Sequence, residues 1–152
     1  VYDRVQLQEL APPDQLTLGP DASADVVLTF RNVHGWVSQG YAPKVFESAF
    51  KVLKPGGILG LEEHRARPGT PAAQSAETGY VSEEAVIALA TAAGFVLEEK
   101  SEINANPKDT TDHPKGVWTL PPSLALGEQD REKYVAIGES DRMTLRFKKP
   151  TQ

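Results

Sequence analysis

Asp25-Val26-Val27-Leu28-Thr29-Phe30, the stretch from Ala42 to Leu53, Lys54-Pro55-Gly56-Gly57 and Ile58-Leu59-Gly60-Leu61-Glu62 decide how this chain folds. The first run is continuously apolar and rich in β-branched residues, which predicts a parallel strand covered on both faces and the most buried of the molecule. In the second, Val45, Phe46, Ala49, Phe50 and Leu53 recur at helical spacing and define one buried face. Proline cannot continue that helix and the two glycines accept the turn after it, so a second strand begins at Ile58. Strand, helix and strand in this order form the unit of a parallel α/β sheet with a right-handed crossover.

Outward from this unit the pattern continues. Val5-Gln6-Leu7-Gln8-Glu9-Leu10 alternates apolar and polar residues and stops at Ala11-Pro12-Pro13-Asp14, which predicts a short strand closed by a turn. Residues 66–79, rich in Pro, Gly, Ala and Thr, read as a loop. Ser82 then caps a helix that carries Glu83 and Glu84 in its first turn, buries Val86, Ile87, Leu89, Ala90 and Ala93, and closes at Gly94. Phe95-Val96-Leu97 opens another strand. Met143 to Lys148 alternates strictly, as an antiparallel edge strand with one wet face does. Residues 104–141, with Pro107, Pro114, Pro121 and Pro122 and a short helix within 128–137, exceed the ~15 residues of an ordinary connection and predict a lid-like excursion. The expectation is one α/β domain over residues 1–152.

Composition narrows the function classes. The chain has 152 residues, 16 Lys plus Arg against 21 Asp plus Glu, a net charge of −5 and 39% hydrophobic residues, enough for a packed core. An acidic balance gives no footprint for nucleic acid or an anionic membrane, and no run approaches the ~18 apolar residues of a bilayer span. The absence of Cys excludes disulfides, thiolate metal sites and cysteine nucleophiles. The single Met is Met143, so further sequence is expected to precede Val1, and a soluble protein of either the cytoplasm or the bacterial periplasm is expected.

The apolar run 25–30, the helix ending Phe50-Lys51-Val52-Leu53-Lys54-Pro55-Gly56-Gly57 and the strand Ile58-Leu59-Gly60-Leu61 together resemble the class I S-adenosylmethionine-dependent methyltransferases. More narrowly, Asn32-Val33-His34, Glu63-His64, Ala92-Ala93-Gly94-Phe95 and Asn106-Pro107 resemble a little-characterised bacterial group of predicted methyltransferases. The resemblance implies a Rossmann-like, three-layer αβα sheet, mostly parallel with an antiparallel last strand. Residues 5–10 would be the third strand of that fold, and the later strands its fourth to seventh. The first two strands and the glycine-rich loop that cradles the cofactor's methionine part have no counterpart: Gly56, Gly57 and Gly60 lie on the wrong side of a strand. S-adenosylmethionine is the implied cofactor. Losing the first strand would leave Val26, Val27 and Leu28 on an open apolar edge, which predicts a homodimer or strand exchange there, together with marginal stability.

Candidate site residues follow from the carboxyl ends of the strands, where open α/β sheets bind ligands. Ala11, Asp14, Thr29, Phe30, Arg31 and Asn32 are the candidate cofactor contacts, Asp14 toward the adenine. His34 is the candidate base or substrate orienter because its ordinary pKa suits either role, with His64 facing it from the next strand end. Arg31 could equally steer a carboxylate or make a surface salt bridge. Trp36 and Tyr41 either wall a small-molecule pocket or simply pack; Glu63, Tyr80 and Trp118 join them as candidate substrate contacts. Trp118 and Tyr134 serve the excursion either as lid contacts or as anchors. Two alternatives stay open: a non-enzymatic binding or assembly module that kept the sheet, and a metal-dependent hydrolase using His34 and His64. No His pair has helical ligand spacing and the third His, His113, lies in the long connection, so no metal ligand is assigned.

Overall fold

The computed structural model describes residues 2–151. Val1, on which the expectation of preceding sequence turns, lies outside the described residues. In chain order the elements are β1 (Ala24–Phe30), α1 (Val33–Ser38), α2 (Ala42–Val52), β2 (Leu53–His64), α3 (Ala72–Ser75), α4 (Glu83–Ala92), β3 (Val96–Ser101), β4 (Pro114–Val117), α5 (Arg131–Ile137) and β5 (Arg142–Lys148). Short 3-10 turns cover Tyr2–Arg4 and Ala76–Thr78.

Four strands make one sheet in the order β1-β2-β5-β3. β1 runs parallel to β2, while β5 lies antiparallel to both β2 and β3. Three strands thus share one direction and the last opposes them. The helix predicted from Ala42 to Leu53 forms over Ala42–Val52, with Ala42, Val45, Phe46, Ala49 and Val52 buried; Leu53 already opens β2, so Lys54-Pro55-Gly56-Gly57 lies within that strand and not in a turn before Ile58. Ser82 Oγ accepts the Ala85 N–H at 3.4 Å at the start of α4. Gly94, at φ +107°, ends that segment where a Cβ would meet Phe50 Cε2 at 2.9 Å. α2 and α4 close over Leu59, Leu61, Leu145 and Phe147 with Phe46, Val86, Ala90 and Phe95, all essentially buried, and each such large side chain contributes roughly 1.5–3 kcal/mol.

Four sequence expectations are corrected here. Residues 5–10 form no strand: Val5 and Leu7 are 64% and 96% exposed, and Ala11 and Gln15 close an isolated turn. Alternation alone does not hold a strand without a neighbour to pair with. β1 is an edge strand rather than the most buried one, because nothing pairs with its outer side among the described residues; Val26, Leu28 and Phe30 stand 52%, 62% and 53% exposed. β5 is an interior strand, since it inserts between β2 and β3, and its wet-side residues Arg146 and Lys148 instead pair with Glu98. Residues 66–79 are not all loop, because α3 and the 3-10 turn lie within them.

The core packs against the face of the sheet that carries Leu59 and Leu61. The opposite face, with Val26, Leu28, Phe30 and Ile58, holds a cleft of about 410 Å³ also lined by Gly60 and Arg146, so the described residues leave the second helical layer unbuilt there. Among the described residues no helix is long and apolar enough to cross a membrane.

Candidate active site

The register Phe30↔Glu62 brings the carboxyl ends of β1 and β2 side by side. β3 ends and β5 begins at the same edge, because His64 pairs with Arg142 and Ser101 with Thr144. The excursion that connects β3 to β5 therefore leaves from this edge and returns to it.

Alternation along β2 puts Glu63 on the inward face with Leu59 and Leu61, and its side chain is fully buried. Two backbone N–H groups and one imidazole nitrogen converge on the carboxylate. Oε2 accepts the His34 backbone N–H at 2.9 Å, and Oε1 accepts the His64 backbone N–H at 2.8 Å and lies 3.0 Å from His34 Nδ1. His34 thus sits in the first turn of α1 rather than on a loop. Asn32, the residue before that helix, makes no side-chain cap. Glu63 does the capping from the neighbouring strand, taking up a helix-start donor that would otherwise be unpaired.

The two imidazoles stand 5.7 Å apart, centroid to centroid. His64 Nδ1 is 2.6 Å from Ser140 Oγ, and Ser140 is 3% exposed. Burial pushes the His64 pKa down to about 4; Glu63 opposes that shift, while His34, Arg142 and Arg31 reinforce it. The ring edges of Trp118 and Tyr80 close on the pair, Trp118 at 6.0 Å from His34 and Tyr80 at 6.2 Å from His64.

A second buried carboxylate fastens the excursion to this edge. Asp109 accepts from the Tyr80 hydroxyl at 3.0 Å, the Thr111 N–H at 2.9 Å and the Asp141 N–H at 2.9 Å, and lies 2.8 Å from His113 Nε2. Arg65, just beyond β2, clasps Glu102 at 2.7 Å and Asp141 at 2.9 Å, the two ends of the excursion. Tyr134 is 4% exposed against His113, so it is an anchor, whereas Trp118 borders the imidazoles.

The remaining candidates disperse. Thr29 is buried and accepts the Asn32 side-chain amide at 3.2 Å, and Arg31 leaves β1 in the left-handed region at φ +57°. Phe30 points to the open face. Trp36 packs edge-on against Phe46 at 6.3 Å, and Tyr41 precedes α2. Ala11 and Asp14 lie in the exposed turn before β1. Sequence reasoning missed Asp109 and Ser140, which sit in irregular chain without a periodic signal.

The fit to S-adenosylmethionine is one-sided. Among the described residues there is no glycine-rich loop, no strand beside the outer edge of β1 to carry an acidic ribose contact, and the Asn32 amide is committed to Thr29. The described residues do not form a cradle for this cofactor. Nor do three candidate metal ligands converge among the described residues.

No family model matches this sequence and no curated protein matches it. Solved structures share its fold. The 4+2 cyclase SpnF aligns with a TM-score of 0.61 at 19% identity over 90% of this chain and 54% of that one. An S-adenosylmethionine-dependent methyltransferase of Methanosarcina mazei aligns at 0.56 and 11% identity over 90% and 64%. One from Mesorhizobium loti aligns at 0.51 and 17% identity over 92% and 68%. The chain spans roughly half to two thirds of the length of these proteins. The fold is the Rossmann-like α/β fold of the class I S-adenosylmethionine-dependent methyltransferases.

Proposed function

We propose that this chain is the acceptor side of an S-adenosylmethionine-dependent methyltransferase acting on a small molecule. The observation that carries the reading is the buried Glu63 carboxylate holding His34 at the carboxyl edge of β1 and β2. With its Nδ1–H directed at Glu63, His34 keeps its Nε2 lone pair to receive a proton, and the carboxylate stabilises the imidazolium that results. Bound cofactor would supply the methyl group; Thr29, Phe30, Arg31 and Asn32, at the carboxyl end of β1, would border its side of the site, and Ala11 and Asp14 do not complete a cradle there. Trp118, on a lid formed by the excursion 104–141, borders His34 edge-on. Trp36 and Tyr41 take packing roles, and Tyr80 orients Asp109.

A second reading, a binding or assembly module, is favoured by the open edge of β1. Unpaired backbone flanked by exposed Val26 and Leu28 recruits another strand, so we propose that two copies of the chain associate or exchange strands there. The two readings are compatible. A metal-dependent hydrolase finds no support, since no three candidate metal ligands converge among the described residues.

The test is a calorimetric titration of the full natural chain with S-adenosylmethionine and with S-adenosylhomocysteine. Micromolar binding of both is expected. A folded sample that binds neither overturns the enzyme reading in favour of the assembly module.

A further inference from the structure

Resting on the reading of this edge as the acceptor side, we infer that His34 and His64 carry opposite tautomers and together form a subsite for a hydroxyl group, which donates to His34 Nε2 and accepts from His64 Nε2–H.

The tautomers follow from what each Nδ1 faces. Both Glu63 oxygens already accept backbone N–H groups, so the carboxylate acts as an acceptor toward His34, whose Nδ1 carries the proton. His34 Nε2 is then a lone pair. Ser140 Oγ is buried and, among the described residues, its hydrogen-bond partner is His64 Nδ1. A buried hydroxyl proton without an acceptor is costly, so Ser140 donates and His64 Nδ1 accepts. A neutral His64 then carries its proton at Nε2. Neither Nε2 makes a hydrogen bond within the described residues, and neither is sealed from solvent without a partner. With their centroids 5.7 Å apart, one ring offering a lone pair and the other an N–H, the two rings are within the reach of one shared oxygen, because two hydrogen bonds of about 2.8 Å to one atom separate their nitrogens by roughly 4–5 Å.

His64 stays neutral over the working range. Glu63 and the rings of His34 and Tyr80 face it, Arg31 and Arg142 lie near enough to disfavour a positive charge, and burial has the largest effect, holding its pKa at about 4. The hydrogen-bond donor therefore persists at neutral pH.

This arrangement selects oxygen over nitrogen. A hydroxyl oxygen has two lone pairs: one accepts from His64 while the other remains free for reaction. A neutral amine has one, and accepting from His64 would consume it. When the proton moves, the O–H bond breaks with its electron pair left on oxygen, an N–H bond forms at His34 Nε2, and the imidazolium faces Glu63 while His64 Nε2–H holds the oxyanion. Ser140 is a positioning residue that fixes the His64 tautomer from the end of the excursion. The substrate class is thus a small alcohol, enol or phenol.

Side-chain nitrogen NMR of the uniformly labelled natural chain at neutral pH reads both tautomers directly, and titrations with phenol, aniline and toluene probe the subsite without cofactor. The expected result is a protonated Nδ1 at His34, a protonated Nε2 at His64, and shifts of both Nε2 signals with phenol at ~10-fold lower concentration than with aniline or toluene. In Ser140→Ala the fixed His64 tautomer is expected to become a mixture, while the His34 tautomer and the backbone spectrum persist. A protonated Nδ1 at His64, equal responses to the three probes, or no response to phenol up to its solubility overturns the inference. Since no readout involves S-adenosylmethionine, the hydroxyl subsite and the methyltransferase reading fail independently.

Discussion

Glu63 binds His34 twice, accepting its backbone N–H at 2.9 Å through one oxygen and facing its Nδ1 at 3.0 Å through the other. A single buried acid therefore starts α1 and orients the ring that the helix carries. Glu63→Gln retains the shape but sets an NH2 group against N–H donors whichever way the amide turns. It is expected to cost about 1–3 kcal/mol in chemical denaturation and to release the His34 tautomer. Unchanged stability would mean that the carboxylate does not secure the start of α1 to the end of β2.

Acid should destabilise the chain through His64. Its pKa is about 4 in the folded protein against an ordinary 6.5, so between these values the unfolded chain binds more protons. The contribution is fully present above pH 6.5, falls as pH drops through this window, and is exhausted below the folded value, an effect on the order of 3 kcal/mol at about 1.4 kcal/mol per pH unit. Denaturation midpoints from pH 7 to 4 measure it, and His64→Gln should flatten that part of the curve.

Asp109 joins the excursion to the body through Tyr80. Burial, followed by the charge of Asp109, raises the Tyr80 pKa above its ordinary value, so the phenol stays protonated and donates. Asp109→Asn leaves an amide among donors and is expected to raise hydrogen exchange across residues 104–141 while β2 and β5 remain protected. Uniformly raised exchange would instead indicate that the excursion and the sheet open as one unit.

Gly116 sits at φ +58°, where a Cβ would lie 2.3 Å from the Thr78 carbonyl oxygen. Gly116→Ala must push β4 away from that turn, and Trp118 two residues on should move with it. A loss of at least about 1 kcal/mol is expected, with a red shift of Trp118 emission in a Trp36→Phe background.

Lysine at Val26 or Leu28 should keep the chain monomeric if copies meet along β1. Light scattering over a concentration series is expected to show a dimer for the natural chain and a monomer for Leu28→Lys; equal masses would remove β1 as the interface.

The parts of this fold legible in the sequence are those that local patterns dictate. The helical spacing of Val45, Phe46 and Ala49 and the Ser82 cap stand where the chain predicts them, whereas Lys54-Pro55-Gly56-Gly57 runs on as part of β2 instead of turning. Strand depth was not legible, because β1 has the composition of a central strand while its burial depends on an outer neighbour that is not found among the described residues. Residues 5–10 fail for the same reason. Within the site, His34 and His64 could be named from the strand ends, and counting by twos from Leu59 and Leu61 places Glu63 on the inward face. Asp109 and Ser140 could not be found this way, since only the closed path of the excursion brings them to this edge.

The most direct measurement is transfer of labelled methyl from S-adenosylmethionine to a panel of small phenols, enols and alcohols by the full natural chain and by His34→Gln. The account predicts turnover that falls by roughly 10²–10⁴-fold in the variant, with S-adenosylhomocysteine affinity unchanged. Turnover that survives the loss of His34 would contradict it.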